Sequence, residues 1–350
     1  MALHTVIMAG GKGERLWPLS TPEHPKQLIA ISGDKSLLRD TFERSLVFSK
    51  PETIYVVTGE LLRGEVLRQI PEIPEENILA EPFGRNTAPC IGYAGVVISQ
   101  RDPEGIMIVF PSDHTIEDVD GFSEVIATGV RALETYPELL ITIGLVPDSP
   151  ETGYGYIAPG ETLFESGKIL VHQVTRFHEK PTRETALEYI HKGFLWNGGM
   201  FLWKVSTILN MFARHMPEIH RDLMSLEDSL RRSCPGGLRE FYERAPSLSI
   251  DYGVMEKAEE IAVIPAQFGW SDIGSWDALG RHLECDQDGN GARGEHCFVD
   301  SRGNVTSSFG KKIVLVDVND LVVVEGKDTI LVCPRKSSQR VSDIARKIQN

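Results

Sequence analysis

Three glycines within four positions, followed closely by a cation, open this chain: residues 8–19 read MAGGKGERLWPL, and PKQ follows at 25–27. Glycine lets the backbone come close to a ligand and turn successive N–H groups inward, so Gly10, Gly11 and Gly13 make a cradle for an anion. A P-loop needs Gly-Lys-Ser/Thr after four spacer residues, and the dinucleotide fingerprint needs a third glycine where Leu16 stands. Neither fits. What remains is a phosphate cradle with Arg15 and Lys26 as its cations. A tight turn with surface charges is the plainer alternative, and the loop's place directly after the first strand argues against it.

Further along, Asp113 in FPSDH follows a wholly apolar run, so it projects from the carboxyl end of a strand, where ligands bind in α/β sheets. A carboxylate facing a triphosphate is a natural Mg2+ ligand. Asp272 in GWSDIGSW is the second candidate, with capping of the helix that follows as its competitor. Glu179 and Lys180, fixed by Pro181, offer a carboxylate to sugar hydroxyls and an ammonium to a phosphate. Asn197 in WNGGMF supplies an amide beside an aromatic wall, and the TGYGY stretch at 152–156 adds Gly153. In the segment from Glu81 to Pro89, Asn86 and Thr87 stand at a helix N-terminus, where simple capping competes with ligand binding.

These residues need a sheet to hold them. Continuous apolar runs at 5–9, 53–58, 105–110 and 139–144 read as strands covered on both faces, with helices expected at 36–46, 61–69, 88–101 and 121–134. That alternation implies βαβ crossovers. A strand at 168–177, a helix capped by Thr182, and a helical pair over 206–230 broken at Pro217 follow. After a loop at 286–291 the starts of short strands recur every eight or so residues, which predicts a small all-β unit and a division into 1–285 and 286–350.

Lys plus Arg number 36 and Asp plus Glu 50, a net charge of −14, which argues against a general nucleic-acid binder. Apolar runs stop far short of the roughly 20 residues a bilayer requires. Five scattered cysteines without a CxxC pair fit a reducing compartment. A cytoplasmic globular protein, away from membranes, is the expectation.

The motifs GGKGERLWPLS, PKQ, FPSDH, TGYGYI, FHEKP, WNGGMF, DYGVMEK and GWSDIGSW occur in one order over roughly residues 3–280. Together they resemble the sugar-1-phosphate nucleotidylyltransferases, most closely those that join mannose 1-phosphate to a guanylyl group. The resemblance implies a Rossmann-like α/β domain with a mixed, mostly parallel sheet and a small C-terminal β-helix-like domain. It implies GTP and mannose 1-phosphate as substrates, GDP-mannose and pyrophosphate as products, Mg2+ as cofactor, and leaves a homodimer open. By the same resemblance Arg15, Lys26 and Asp113 are catalytic, and Asp113 and Asp272 hold the metal. Ala9, Gly10, Gly11, Gly13, Glu81, Asn86, Thr87, Ala88 and Ser112 bind the nucleotide; Gly153, Glu179, Lys180 and Asn197 bind the sugar phosphate.

Overall fold

A computed structural model describes every residue except Met1, Lys12, Ser32 and Asn350, and every described side chain except those of Glu14 and Gln349. The strands are Leu3–Met8 (β1), Ile54–Gly59 (β2), Ile78–Glu81 (β3), Ile106–Pro111 (β4), Thr115–Ile116 (β5), Leu140–Leu145 (β6), Gly155–Ser166 (β7), Ile169–Glu179 (β8) and Leu195–Lys204 (β9). Then come Ile261–Ala266 (β10), Trp270–Ser271 (β11), Gly291–Arg293 (β12), His296–Val299 (β13), Val305–Ser307 (β14), Ile313–Val316 (β15), Leu321–Glu325 (β16) and Ile330–Pro334 (β17). The chain folds into two compact units that are discontinuous along the sequence: Met1–Gly10, Phe42–Pro111 and Ile116–Trp270 form one; Gly11–Thr41, Ser112–Thr115 and Ser271–Asn350 form the other.

The first unit holds a nine-stranded sheet in the order β3-β2-β1-β4-β9-β6-β10-β8-β7, with β9 also paired to β7. The apolar runs expected at 5–9, 53–58, 105–110 and 139–144 are β1, β2, β4 and β6. β3, β2, β1 and β4 pair in parallel, as do β6 and β10. β9 departs from the expected regular crossovers: it lies antiparallel between β4 and β6, with Phe201 opposite both Val109 and Thr142. Gly198 and Gly199 interrupt its apolar run and obscure this strand in the sequence. In the sheet they accompany a register shift between Thr142 and Gly144, and such a bulge re-aims a side chain without ending the strand.

The helices include Leu37–Ser45 (α1), Arg63–Gln69 (α2), Gly237–Arg244 (α8) and Val341–Gln349 (α10). Thr87–Ser99 (α3), Val205–His215 (α6) and Pro217–Arg231 (α7) contribute to one core; Pro217 starts α7, where its missing N–H costs nothing. Ile208, Phe212, Met216, Ile219, Leu223 and Leu226 are all buried in that core, as their helical spacing requires. Val119–Thr135 (α4) packs in the other core through Phe122, Ile126 and Leu133. Arg183–His191 (α5) begins as expected at Thr182, whose side chain accepts from the Thr185 amide at 3.3 Å.

In the second unit parallel rungs stack in the manner of a β-helix: Gly291 lies opposite Val305, and Val305 opposite Val322. The Asn304 amide donates to Asn290 Oδ1 at 2.9 Å, continuing the stack through the corner. The core here mixes distant segments: Leu16, Trp17, Ile31 and Leu37 pack with Trp276, Leu279, Val305, Val322 and Val324. The apolar residues flanking the glycine loop are thus buried with the C-terminal segment. Trp276 Nε1 donates to the Trp17 carbonyl at 3.0 Å, and the ring is wholly buried. Trp276→Ala is expected to destabilise this unit by about 3–5 kcal/mol, from a cavity plus an orphaned carbonyl; urea unfolding against the unmodified chain measures it.

Candidate active site

Both units carry polar chemistry. In the second unit, Lys26 is the centre. Its side chain is only 6% exposed, and its ammonium donates to Asp113 Oδ2 at 3.0 Å and to the backbone carbonyl of Asp272. His114 Nε2 lies 3.6 Å from Asp113 Oδ1. Burial alone would raise the Asp113 carboxyl, yet Lys26, His114 and Arg15 together hold it at about 2. It is an ionised acceptor throughout the physiological range.

The loop that carries these cations is tied to itself. Gln27 Nε2 donates to the Gly11 carbonyl at 3.0 Å, and Ser20 Oγ to the Gly13 carbonyl at 2.6 Å. Gly13 has φ of +60°, and a methyl group on it would overlap Lys26 Cβ and lie 2.9 Å from the Lys26 amide nitrogen. Gly11 has open space where a side chain would stand. Arg15 is exposed, with Nη1 beside Gly274 in the turn that follows Asp272. Asp272 does not cap the following helix, Trp276–His282 (α9); Ser275 does, accepting from the Ala278 amide at 3.1 Å. The Asp272 carboxylate instead accepts from the Gly274 amide at 3.0 Å. Ser112 is buried between Pro111 and Asp113.

In the first unit, Ala9 and Gly10 follow β1, with the Ala9 amide donating to the Val57 carbonyl at 2.7 Å. Glu81 ends β3 almost fully buried, and Tyr242 Oη donates to its Oε1 at 2.8 Å. Burial raises the Glu81 carboxyl, and the Tyr242 bond partly offsets that. A methyl on Gly10 would stand 3.2 Å from Glu81 Oε2, so glycine leaves that carboxylate an open side. Asn86, Thr87 and Ala88 use their polar groups on the chain itself. Asn86 Oδ1 accepts from the Thr87 amide at 2.8 Å, Thr87 Oγ1 accepts from the Ile250 amide at 2.9 Å, and the Ala88 amide donates to the Leu248 carbonyl at 3.1 Å.

Glu179 and Asn197 meet across a glycine. Gly155 on β7 is opposite Glu179 on β8, and its neighbour Tyr156 is opposite Trp196 on β9. A methyl on Gly155 would overlap Glu179 Oε1 and lie 3.2 Å from Asn197 Cβ. With no side chain on the middle strand, the flanking pair closes over it. The Glu179 side chain is 8% exposed, and its carboxyl is pushed up to about 7 by burial and then by Asp251, against the pull of Lys180 and Asn197. Lys180 extends to solvent, its Nζ 3.9 Å from Glu179 Oε2 and 5.6 Å from the Tyr252 ring. Gly153 is exposed, with open space above it. Asp251 and Gly155 complete this cluster and received no role from the sequence. The available signal was an acid inside the apolar run at 248–255.

A parallel-centred α/β sheet with a glycine loop after its first strand, a cation–carboxylate cluster beyond β4 and an appended β coil defines the nucleotidyl transferase class. The chain belongs to that family: the family model described as Nucleotidyl transferase matches residues 4–288, and one described as MannoseP isomerase/GMP-like beta-helix domain matches 294–348. It is 36% identical over 359 residues to a mannose-1-phosphate guanylyltransferase of Escherichia coli, covering 99% of this chain and 73% of that protein. It is 34% identical to the alginate biosynthesis protein AlgA of Pseudomonas fluorescens, covering 97% and 70%. A crystal structure described as mannose-1-phosphate geranyltransferase from Thermus thermophilus superposes with a TM-score of 0.89 at 34% identity over the whole of both chains.

Gly13→Ala should lower stability by about 1–2 kcal/mol from the left-handed backbone alone, and the overlap with Lys26 adds to it. Urea unfolding measures the loss; a midpoint unchanged from that of the parent would mean the loop accepts a side chain.

Proposed function

We propose that the chain transfers a guanylyl group from GTP to α-D-mannose 1-phosphate, giving GDP-mannose and pyrophosphate. The observation that carries this reading is the buried Lys26 ammonium held between Asp113 and Asp272, beside the glycine loop and Arg15. The substrate pair follows the relatives named for mannose-1-phosphate guanylyl transfer.

The chemistry asks for little acid–base help. A phosphate monoester with a second pKa of about 6 is mostly ionised at neutral pH, so its oxygen attacks without a general base. The bond that forms joins that oxygen to the α-phosphorus; the bond that breaks is the α–β anhydride, and its electrons leave on pyrophosphate. Both partners are anions, so positioning and charge neutralisation dominate. Arg15, Lys26, the Gly10, Gly11 and Gly13 amides and Ser112 would hold the triphosphate and the departing pyrophosphate. Ala9 and Glu81 would face the base, along a wall shaped by Asn86, Thr87 and Ala88. Lys180 would take the sugar's phosphate, and Glu179, Asn197 and Gly153 its hydroxyls.

Asp113 and Asp272 suit a divalent cation, Mg2+ in this proposal: both offer hard oxygen donors, and Lys26 binds the Asp113 carboxylate and the Asp272 backbone carbonyl. Mg2+ is usually held by one or two carboxylates and keeps water and phosphate oxygens as its remaining ligands. When bound it supplies charge neutralisation and Lewis acidity. The place of work proposed is the cytoplasm; among the described residues no helix is long and apolar enough to cross a membrane.

Pyrophosphate release from each of the common nucleoside triphosphates, paired with mannose, glucose and fucose 1-phosphates with and without Mg2+, tests the proposal. GTP with mannose 1-phosphate and Mg2+ should be fastest. A faster pair would reassign the substrates, and no release from any pair would remove the reading. Asp113→Asn should lower turnover by about 100-fold or more with the fold kept; near-normal turnover at saturating Mg2+ would exclude Asp113 from the chemistry. Lys180→Ala should cost about 10- to 100-fold in kcat/KM for the sugar phosphate, the worth of one charge-assisted bond. A loss confined to GTP would reverse that assignment.

A further inference from the structure

One carboxylate of the sugar cluster remains without a task. Asp251 opens a π-helical turn, Asp251–Met255, in which the Glu256 amide donates to the Asp251 carbonyl at 2.9 Å. The turn hangs from α3, since the Ile250 amide is bound to Thr87 Oγ1. Its first side chain faces Asn197: the amide Nδ2 donates to Asp251 Oδ1 at 2.8 Å.

The oxygen side of the same amide is also committed. Asn197 Oδ1 accepts from the Gly199 amide at 3.1 Å and from Thr142 Oγ1 at 3.2 Å. An amide has two acceptor sites on oxygen and two donors on nitrogen. The Gly199 N–H fixes which end is oxygen, so the nitrogen must face acceptors. Asp251 takes one hydrogen, and Glu179 stands beside the same side chain, its Oε1 and the Asn197 Cβ both closing on the place a Gly155 side chain would fill. A flipped amide would set oxygen against the Asp251 carboxylate and nitrogen against the Gly199 N–H. Asp251 thus locks one of two rotamers that have nearly the same shape.

We propose that Asp251 is a positioning residue for the sugar phosphate: by fixing the Asn197 amide, it holds Glu179 as an oriented acceptor for pyranose hydroxyls. This rests on the sugar-phosphate reading of the Glu179–Lys180 cluster. It makes the second acid of the pocket an organiser of the first, through a neutral amide.

The charged and titratable groups facing Glu179 are Lys180 from the end of its own strand, and Asp251 and Glu256 from the π turn; Glu256 Oε1 accepts from the Glu179 amide at 3.1 Å. β7 brings Gly155, and β9 brings the neutral Asn197. Burial and then Asp251 keep the Glu179 carboxyl high, so its protonated form persists up to about pH 7. The ionised form is acceptor-only on both oxygens, whereas the protonated form turns one of them into a donor. Removing the Asp251 charge lowers the Glu179 pKa, so the ionised form is reached at lower pH.

The experiment compares Asp251→Asn with the unmodified enzyme across pH, varying mannose 1-phosphate and GTP separately. Asp251→Asn should lose about 10- to 100-fold in kcat/KM for the sugar phosphate, with KM for GTP changed by less than about twofold. The acid limb of the sugar-phosphate profile should move to lower pH. The substrate's own phosphate titration is common to both proteins and cancels in the comparison. An unchanged kcat/KM, or equal losses toward both substrates, would overturn the proposal; so would a loss with the acid limb unmoved, which marks a structural role. Should Asp251→Asn fail to fold, Asp251→Ser removes the same charge and is held to the same outcomes. Failure of the sugar-phosphate reading itself is separate: the unmodified enzyme would then release no pyrophosphate with any sugar phosphate.

Discussion

A buried ammonium must be answered by a negative group, and Lys26 is answered by Asp113. Removing one partner of such a pair strands the other charge at a cost of several kcal/mol, so each fixes the other's position. Asp113 stands where it does because β4 is apolar to its end and the chain then turns. Lys26 stands where it does because its neighbours are bonded to the glycine loop, through Gln27 to Gly11 and Ser20 to Gly13. The loop, the carboxylate and the Asp272 turn are therefore held as one arrangement by a single charge. With a net charge of −14 on the chain, local cations have to set the sign at a phosphate site. Screening over about 8 Å helps them to do so.

The Glu179–Asn197 cluster depends on the opposite device, a side chain left out. Gly155 sits between Glu179 and Asn197 on three adjacent strands, and its bare backbone lets the two outer side chains converge. The register shift on β9 turns Asn197 toward that gap. Glu179, Asp251 and the amide between them then form a polar set inside a sheet otherwise packed with aromatic rings, among them Tyr154 against Trp196 at 5.1 Å.

The C-terminal β coil is a structural partner of the loop as well as an appendage. Leu16 and Trp17, which directly follow Arg15, share a core with Val305, Val322 and Val324. Stacked parallel rungs offer a flat apolar face that a short loop could not build for itself. The fold thereby stiffens the segment on both sides of the cations.

Much of this was open to reading in the sequence. Wholly apolar runs disclosed β1, β2, β4 and β6, Pro217 disclosed where one helix ends and the next begins, and the glycine loop, Asp113, Glu179, Lys180 and Asn197 were visible as residue types after strands. These are local facts, written in hydrophobic period and backbone permissiveness. The rest required partners distant in the chain. That β9 runs antiparallel in the middle of the sheet, that Ser275 and not Asp272 caps α9, that Gly155 is the vacancy joining two strands, and that Asp251 orients Asn197 are outcomes of which segments pack side by side. Sequence determined which groups the protein has and the elements that carry most of them. Tertiary structure alone decided which groups touch, because a hydrogen bond or an ion pair depends on a few ångströms of separation that no spacing along the chain records.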